Sequence, residues 1–128
     1  MIVKFDHHLN KKTSSVKFWG SGNATREFIY VDDAAAGIIK AADKYKQIEP
    51  LNICSGGEWR ISDLASTLAE IIGYKGNILW DTSMPEGCFR KCLSTEKMKN
   101  QIHFKPKHSL EEGLLKTVDW YNSNAKHS

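Results

Sequence analysis

The sequence predicts an α/β fold, a small and largely parallel sheet with about four helices around it, on three observations. β-prone runs alternate with stretches of helical period along the chain, which calls for crossover connections and argues against a helical bundle or a β-sandwich. The three prolines, Pro50, Pro85 and Pro106, all fall between those periodic segments and act as breaks. The chain has 128 residues, 41% hydrophobic and 26% charged, enough to fill one core. A complete dinucleotide domain with a separate substrate domain needs roughly twice that length.

Ile2, Phe5 and Leu9 recur at intervals of three and four, so residues 2–9 are expected as a helix that ends in the polar run 10–15. Residues 16–19 are β-prone, and so are residues 27–31. A Gly20-Ser21-Gly22-Asn23 turn lies between them. Asp32 is placed to cap a helix running to about Tyr45, with Ala35, Ile38, Ala42 and Tyr45 on its buried stripe. Leu51-Asn52-Ile53-Cys54, stopped by Ser55-Gly56-Gly57, reads as a strand covered on both sides. A helix then follows from residue 61 or 62 to 72, with Leu64, Leu68, Ile71 and Ile72 inward and Gly73 as its stop. Residues 77–80 are expected as a strand, residues 92–94 as a short one, and residues 95–101 as a helical turn. Ser109 and Glu112 form a capping box for a last helix with Leu110, Leu114, Val118 and Tyr121 in register, fraying from Asn122 onward.

The net charge of +3 comes from 18 basic and 15 acidic residues spread along the chain, so nothing calls for nucleic acid. No stretch approaches the roughly 20 apolar residues that span a bilayer, and the opening residues lack the apolar centre of a signal peptide. A cytoplasmic chain without a membrane partner is expected. Three cysteines, Cys54, Cys88 and Cys92, are then expected as free thiols. Cys88, Cys92, His103 and His108 come near a zinc-finger spacing, but the intervening loop is short and Pro106 interrupts the segment that would carry the histidine helix. No metal is expected.

Two basic positions sit where ligands are often met. Arg26 follows the glycine turn and can present a planar fork to phosphate oxygens, and Arg90-Lys91 follows Pro85-Glu86-Gly87 in a loop. No G-x-G-x-x-G turn leads from a strand into a helix, so a dinucleotide fingerprint is absent.

Taken together, Phe18-Trp19-Gly20-Ser21-Gly22 and Arg26-Glu27-Phe28-Ile29-Tyr30-Val31-Asp32-Asp33 resemble a segment of the extended short-chain dehydrogenase/reductases that act on nucleotide sugars, the NAD-dependent epimerase/dehydratase family. Leu51-Asn52-Ile53-Cys54-Ser55-Gly56 resembles that family's strand end, and Ile61-Ser62-Asp63-Leu64-Ala65 its following helix start. Trp19, Gly73-Tyr74-Lys75-Gly76 and the loop Ser83-Met84-Pro85-Glu86-Gly87-Cys88-Phe89-Arg90-Lys91 are similar to the GDP-L-fucose synthase group within it.

The resemblance implies that residues 1–128 are a C-terminal nucleotide-sugar-binding domain, whose residues 32–54 pack on an NADP-binding Rossmann domain lying upstream. The cofactor loop, the Y-x-x-x-K pair and the epimerisation cysteine and histidine would all lie upstream, and neither His7 nor His8 matches that histidine. The parent reaction implied is NADPH-dependent epimerisation and reduction of GDP-4-keto-6-deoxymannose to GDP-L-fucose. This chain alone is expected to be inactive and to lack the NADP site. On the substrate side, Trp19 corresponds to a tryptophan beside the nucleotide sugar, Arg26 and Lys91 to cations meeting the pyrophosphate, and Lys4 to a basic substrate-binding residue. Glu86 replaces an aspartate, and Arg60 a capping threonine, which moves the expected cap to Ser62. From the apolar face of Ala35, Ile38 and Ala42, left without the upstream domain's cover, a homodimer or an exchange of strands between copies is expected. The competing readings are another nucleotide-sugar epimerase or dehydratase of the family, and a non-enzymatic nucleotide-binding or assembly module.

Overall fold

The computed structural model describes residues 1–124. In chain order the elements are α1 (Ile2–Asn10), β1 (Ser15–Trp19), β2 (Thr25–Glu27), α2 (Val31–Lys44), β3 (Glu58–Arg60), α3 (Ile61–Ile72), β4 (Asn77–Asp81), β5 (Arg90–Lys91), α4 (Glu96–Ile102) and α5 (Leu110–Asn124). They form two small sheets. β1 pairs with β4 in parallel, and β2 lies between β3, antiparallel to it, and β5, parallel to it. The α/β class with mostly parallel pairing is therefore as expected, with five helices where about four were expected. The fifth is α4, a seven-residue helix in place of a helical turn.

β1 alternates as a half-buried strand does, with Val16 and Phe18 inward and Lys17 and Trp19 outward. α3 buries Leu64, Ala65, Leu68 and Ala69 on one stripe and ends at Gly73, whose φ of 81° closes the helix in the left-handed region. Together they enclose Phe5 of α1, which is fully buried, with its ring centroid 5.2 Å from Phe18 and 5.5 Å from Tyr74. Burying such a side chain contributes about 1.5–3 kcal/mol, so this aromatic cluster anchors α1 to the sheet. The capping box on α5 forms as expected: Ser109 N–H donates to Glu112 Oε2 (2.7 Å) and Glu112 N–H to Ser109 Oγ (3.2 Å). α5 stays helical through Asn124, and the rest of the expected fraying tail, residues 125–128, lies outside the described residues.

Several local expectations are corrected. The 27–31 strand is only Thr25–Glu27, since its ladder partners are three and two residues long, and Val31 already opens α2. Residues 51–54 join no ladder among the described residues. Leu51 and Ile53 pack instead on Met98, Ile102 and Phe104 of a second cluster, Cys54 is buried, and Asn52 is exposed. The inward line of α2 is Asp33, Gly37, Ala41 and Tyr45, while Ile38 is 61% exposed. Gly37 sets this rotation, because a Cβ there would stand 2.5 Å from Ile53 Cγ2 and 2.9 Å from Phe104. Neither Asp32 nor Ser62 caps its helix. α2 starts at Tyr30 without a side-chain cap, and the first amides of α3, Ile61 and Ser62, donate to the carbonyls of Ala24 and Gly22. β3 was unforeseen, and the strand expected at 92–94 is Arg90–Lys91. No described helix is long and apolar enough to cross a membrane.

Candidate functional site

β2 is the hub. Its Arg26 is the register partner of Lys91 on one side and of Trp59 on the other, so the three side chains leave one face of the sheet in a row. Adjacent strands lie about 4.8 Å apart, which sets the spacing of that row. The opposite face is self-satisfied. Glu58 accepts from Arg90 Nε (2.9 Å), Arg90 Nη2 (2.8 Å) and Thr25 Oγ1 (2.5 Å), and these bonds hold its carboxyl below the usual carboxylate range. The basic pair Arg90-Lys91 is thus divided by strand alternation. Arg90 is spent on Glu58, and Lys91 forms no ion pair among the described residues.

Arg26 and Lys91 line one cavity of about 220 Å³ together with Glu27, Ile29, Ile53, Cys54 and Leu93. Arg26 also lines a second hollow with Trp19, Gly22, Pro85, Glu86 and Gly87. The glycine turn and the 85–87 loop meet there, where Glu86 Oε1 accepts from Ser21 Oγ (2.6 Å) and Ser21 N–H (3.1 Å). These bonds hold the Glu86 carboxyl below its ordinary pKa. Gly22 is required at this junction, since its φ is 76° and a Cβ would come within 2.8 Å of the Trp80 ring.

Four of the five expected site residues therefore converge: Trp19, Arg26 and Glu86 around one hollow, Arg26 and Lys91 around the other. Lys4 stands apart on α1, its Nζ 5.2 Å from the Phe18 ring centroid, and is not among the residues lining either hollow. Trp59, Glu58 and Glu27 were missed in the sequence. The pairing of residues 25–27 with 58–60 puts Arg26 and Trp59 on one face and Glu27 and Glu58 on the other, but strands of three residues carry too short a pattern to be read in the sequence.

The cysteines and histidines go separate ways. Cys88 Sγ donates to Arg90 O (3.0 Å), and His108 Nδ1 lies 3.1 Å from Asp33 Oδ2. Cys54 is buried, and desolvation, with the neighbouring Glu27 carboxylate adding to it, pushes its thiol up to about 11, so it stays protonated at neutral pH and is no nucleophile there. No group of three or more metal-ligating side chains is found among the described residues.

The model of the NAD dependent epimerase/dehydratase family matches residues 1–54. A probable GDP-L-fucose synthase 1 from Oryza sativa subsp. japonica is 37% identical over 97% of this chain and 38% of its own length. A GDP-L-fucose synthase from Sinorhizobium fredii is 40% identical over 89% of this chain and 36% of its own. The crystal structure of an NADP-bound GDP-L-fucose synthetase from Naegleria fowleri superposes with a TM-score of 0.91 at 26% identity, over 99% of this chain and 40% of that one. The chain thus spans about two-fifths of the length of such relatives. It matches the NAD-dependent epimerase/dehydratase family over residues 1–54 and, over nearly its whole length, resembles the GDP-L-fucose synthases.

Proposed function

We propose that this chain is the substrate-binding portion of a GDP-L-fucose synthase-like enzyme, and that it holds the diphosphate of a GDP-sugar between Arg26 and Lys91. The observation that carries this reading is the direct pairing of those two residues across a parallel ladder, with both lining one cavity. Two cations on directly paired residues suit the two phosphates of one diphosphate, and charge-assisted bonds of this kind contribute about 1.5–3 kcal/mol each. Trp19, 69% exposed beside Gly20 and Gly22, offers a flat apolar surface at the second hollow for the sugar or base. Glu86 holds the Pro85–Gly87 loop against the glycine turn and so sets the height of that wall.

NADP does not fit the residues present. The glycines at 20 and 22 connect β1 to β2, and those at 56 and 57 lead into β3, so neither pair presents the amides of a helix start to a pyrophosphate. On this reading the cofactor and the proton-transfer groups belong to an upstream Rossmann domain, against which residues 32–54 pack, in a cytoplasmic homodimer that converts GDP-4-keto-6-deoxymannose to GDP-L-fucose.

The test is titration of the isotope-labelled chain with GDP, UDP and inorganic pyrophosphate, followed by NMR. With one wall supplied elsewhere, GDP is expected to bind with a Kd on the order of millimolar, shifting residues 19–26 and 86–91 and binding more tightly than UDP. Equal response to UDP would favour another nucleotide-sugar enzyme of the family, and shifts confined elsewhere would reject the site.

A further inference from the structure

β5 is two residues long, and two ladder pairs are a weak hold on a lysine that must face a particular neighbour. The ladder stops at Arg26↔Lys91, and the next pair along would be Glu27 and Cys92. At that point a side chain takes over from the backbone. Glu27 Oε2 accepts the N–H of Leu93 (2.9 Å), and the Cys92 thiol lies 3.8 Å from the same oxygen. Glu27 Oε1 accepts the N–H of Gly56 (2.9 Å) and the Ser55 hydroxyl (3.3 Å). One carboxylate therefore ties β2 to the chain leaving β5 and to the turn before β3. Burial pushes the Glu27 carboxyl up, but the amides of Gly56, Leu93 and Ser55 outweigh it, and the group titrates below its ordinary value. It is charged at neutral pH and draws those amides inward.

The other side of Lys91 is held in the same manner: Arg90, one residue earlier, is clamped by Glu58 on the opposite face. Lys91 sits between two anchored neighbours while its own ammonium stays without an ion pair among the described residues. We propose that Glu27 is a positioning residue for Lys91, its carboxylate extending the two-residue strand so that Lys91 keeps its register opposite Arg26 on the cavity they share. This rests on the reading of Arg26 and Lys91 as a diphosphate clamp.

The test uses the whole 128-residue chain as wild type, Glu27→Gln, Lys91→Ala and the double variant, titrated with inorganic pyrophosphate. Glu27→Gln turns one oxygen into a donor facing a backbone donor, and is expected to weaken pyrophosphate binding about fivefold or more, close to the effect of Lys91→Ala. In the double variant the loss is expected to equal that of Lys91→Ala alone within about a factor of two, because Glu27 acts through Lys91. A purely structural role would multiply the two losses, and that outcome, or wild-type affinity in Glu27→Gln, overturns the proposal. Amide exchange decides the matter independently of the clamp. If wild type binds no pyrophosphate, the clamp reading fails, while loss of Leu93 protection and of β5 chemical shifts in Glu27→Gln, with Phe5 and Val118 signals unchanged, still supports the positioning role. Unchanged β5 shifts overturn it. Should Glu27→Gln fail to fold, Glu27→Asp is the second variant, one methylene too short to reach Gly56 and Leu93 together, and is read by the same two outcomes.

Discussion

Arg26 of β2 and Lys91 of β5 are direct partners in a parallel ladder, although the whole of α2, α3 and β4 lies between them in the chain. Truncating either should therefore remove half of one anion site. Arg26→Ala and Lys91→Ala are each expected to weaken GDP binding about tenfold or more, measured by calorimetry or NMR. Equal binding by wild type and both variants would reject the assignment.

The approach of α2 to the 51–54 segment depends on a missing side chain. A Cβ at Gly37 would stand 2.5 Å from Ile53 Cγ2 and 2.9 Å from Phe104, and both neighbours belong to the second core cluster or its edge. Gly37→Ala is expected to destabilise the chain by about 1–3 kcal/mol through overpacking, despite alanine's better helix propensity. Urea unfolding measures this, and a gain in stability would show that the cluster can repack.

Asp33 supplies a pH dependence. Its side chain is buried and accepts from the N–H of Lys107 (3.1 Å) and of His108 (2.9 Å), fixing the α4–α5 connection onto α2. Burial raises its pKa, but those amides and the His108 ring lower it more, so the folded value lies below the ordinary one. The associated stability is complete above the unfolded pKa, about 3.9, and is lost as pH falls through the lower folded value. Asp33→Asn should therefore lose about 1–3 kcal/mol at neutral pH and show a flatter acid limb than wild type in denaturant unfolding from pH 7 to 2. Parallel acid limbs would remove Asp33 as the cause.

Periodicity was readable where one face packs on one core. α1, α3, β1, β4 and the capping box of α5 lie within a residue or two of their expected positions because Phe5, Val16, Leu64 and Leu68 repeat at the period their element imposes. It failed where local rules compete with tertiary ones. The Ala35, Ile38 and Ala42 stripe is more apolar than the true inward line, which is selected by the contact of Gly37 with Ile53 and Phe104 and by the bonds of Asp33 to the 107–108 amides. Ile53 and Cys54 have the composition of a strand but no ladder partner among the described residues. At the site, Arg26 and Lys91 stood out as cations beside glycine-bearing loops, and Trp19 and Glu86 were reached by resemblance to the family. Glu27, Glu58 and Trp59 were not, since strands of two and three residues are too short to show alternation by themselves.

Catalysis by this chain alone is expected to be absent. Its glycine turns offer no dinucleotide cradle, so with GDP-4-keto-6-deoxymannose present, NADPH absorbance should fall no faster than in buffer. Turnover above that background would mean that cofactor binding and proton transfer arise from residues placed here in loops.

Association of the chain with itself is expected through α2. Val31, Ile38 and Ile39 are 66%, 61% and 71% exposed, and Ala35 and Ala42 are exposed among them, while the inward line of the helix is already occupied by Asp33 and Gly37. A 14-residue helix is about 21 Å long, and pairing two such faces buries less than the roughly 1,200–2,000 Å² of a standard interface. The dimer expected is therefore weak and concentration-dependent. Ile38→Lys with Ile39→Lys puts two charges on the shared face without touching either core cluster, so folding should be retained and association lost. Sedimentation velocity from micromolar to millimolar chain reads the difference. A wild type that stays monomeric across that range, or a double variant that associates as wild type does, would show that this face is not where copies meet.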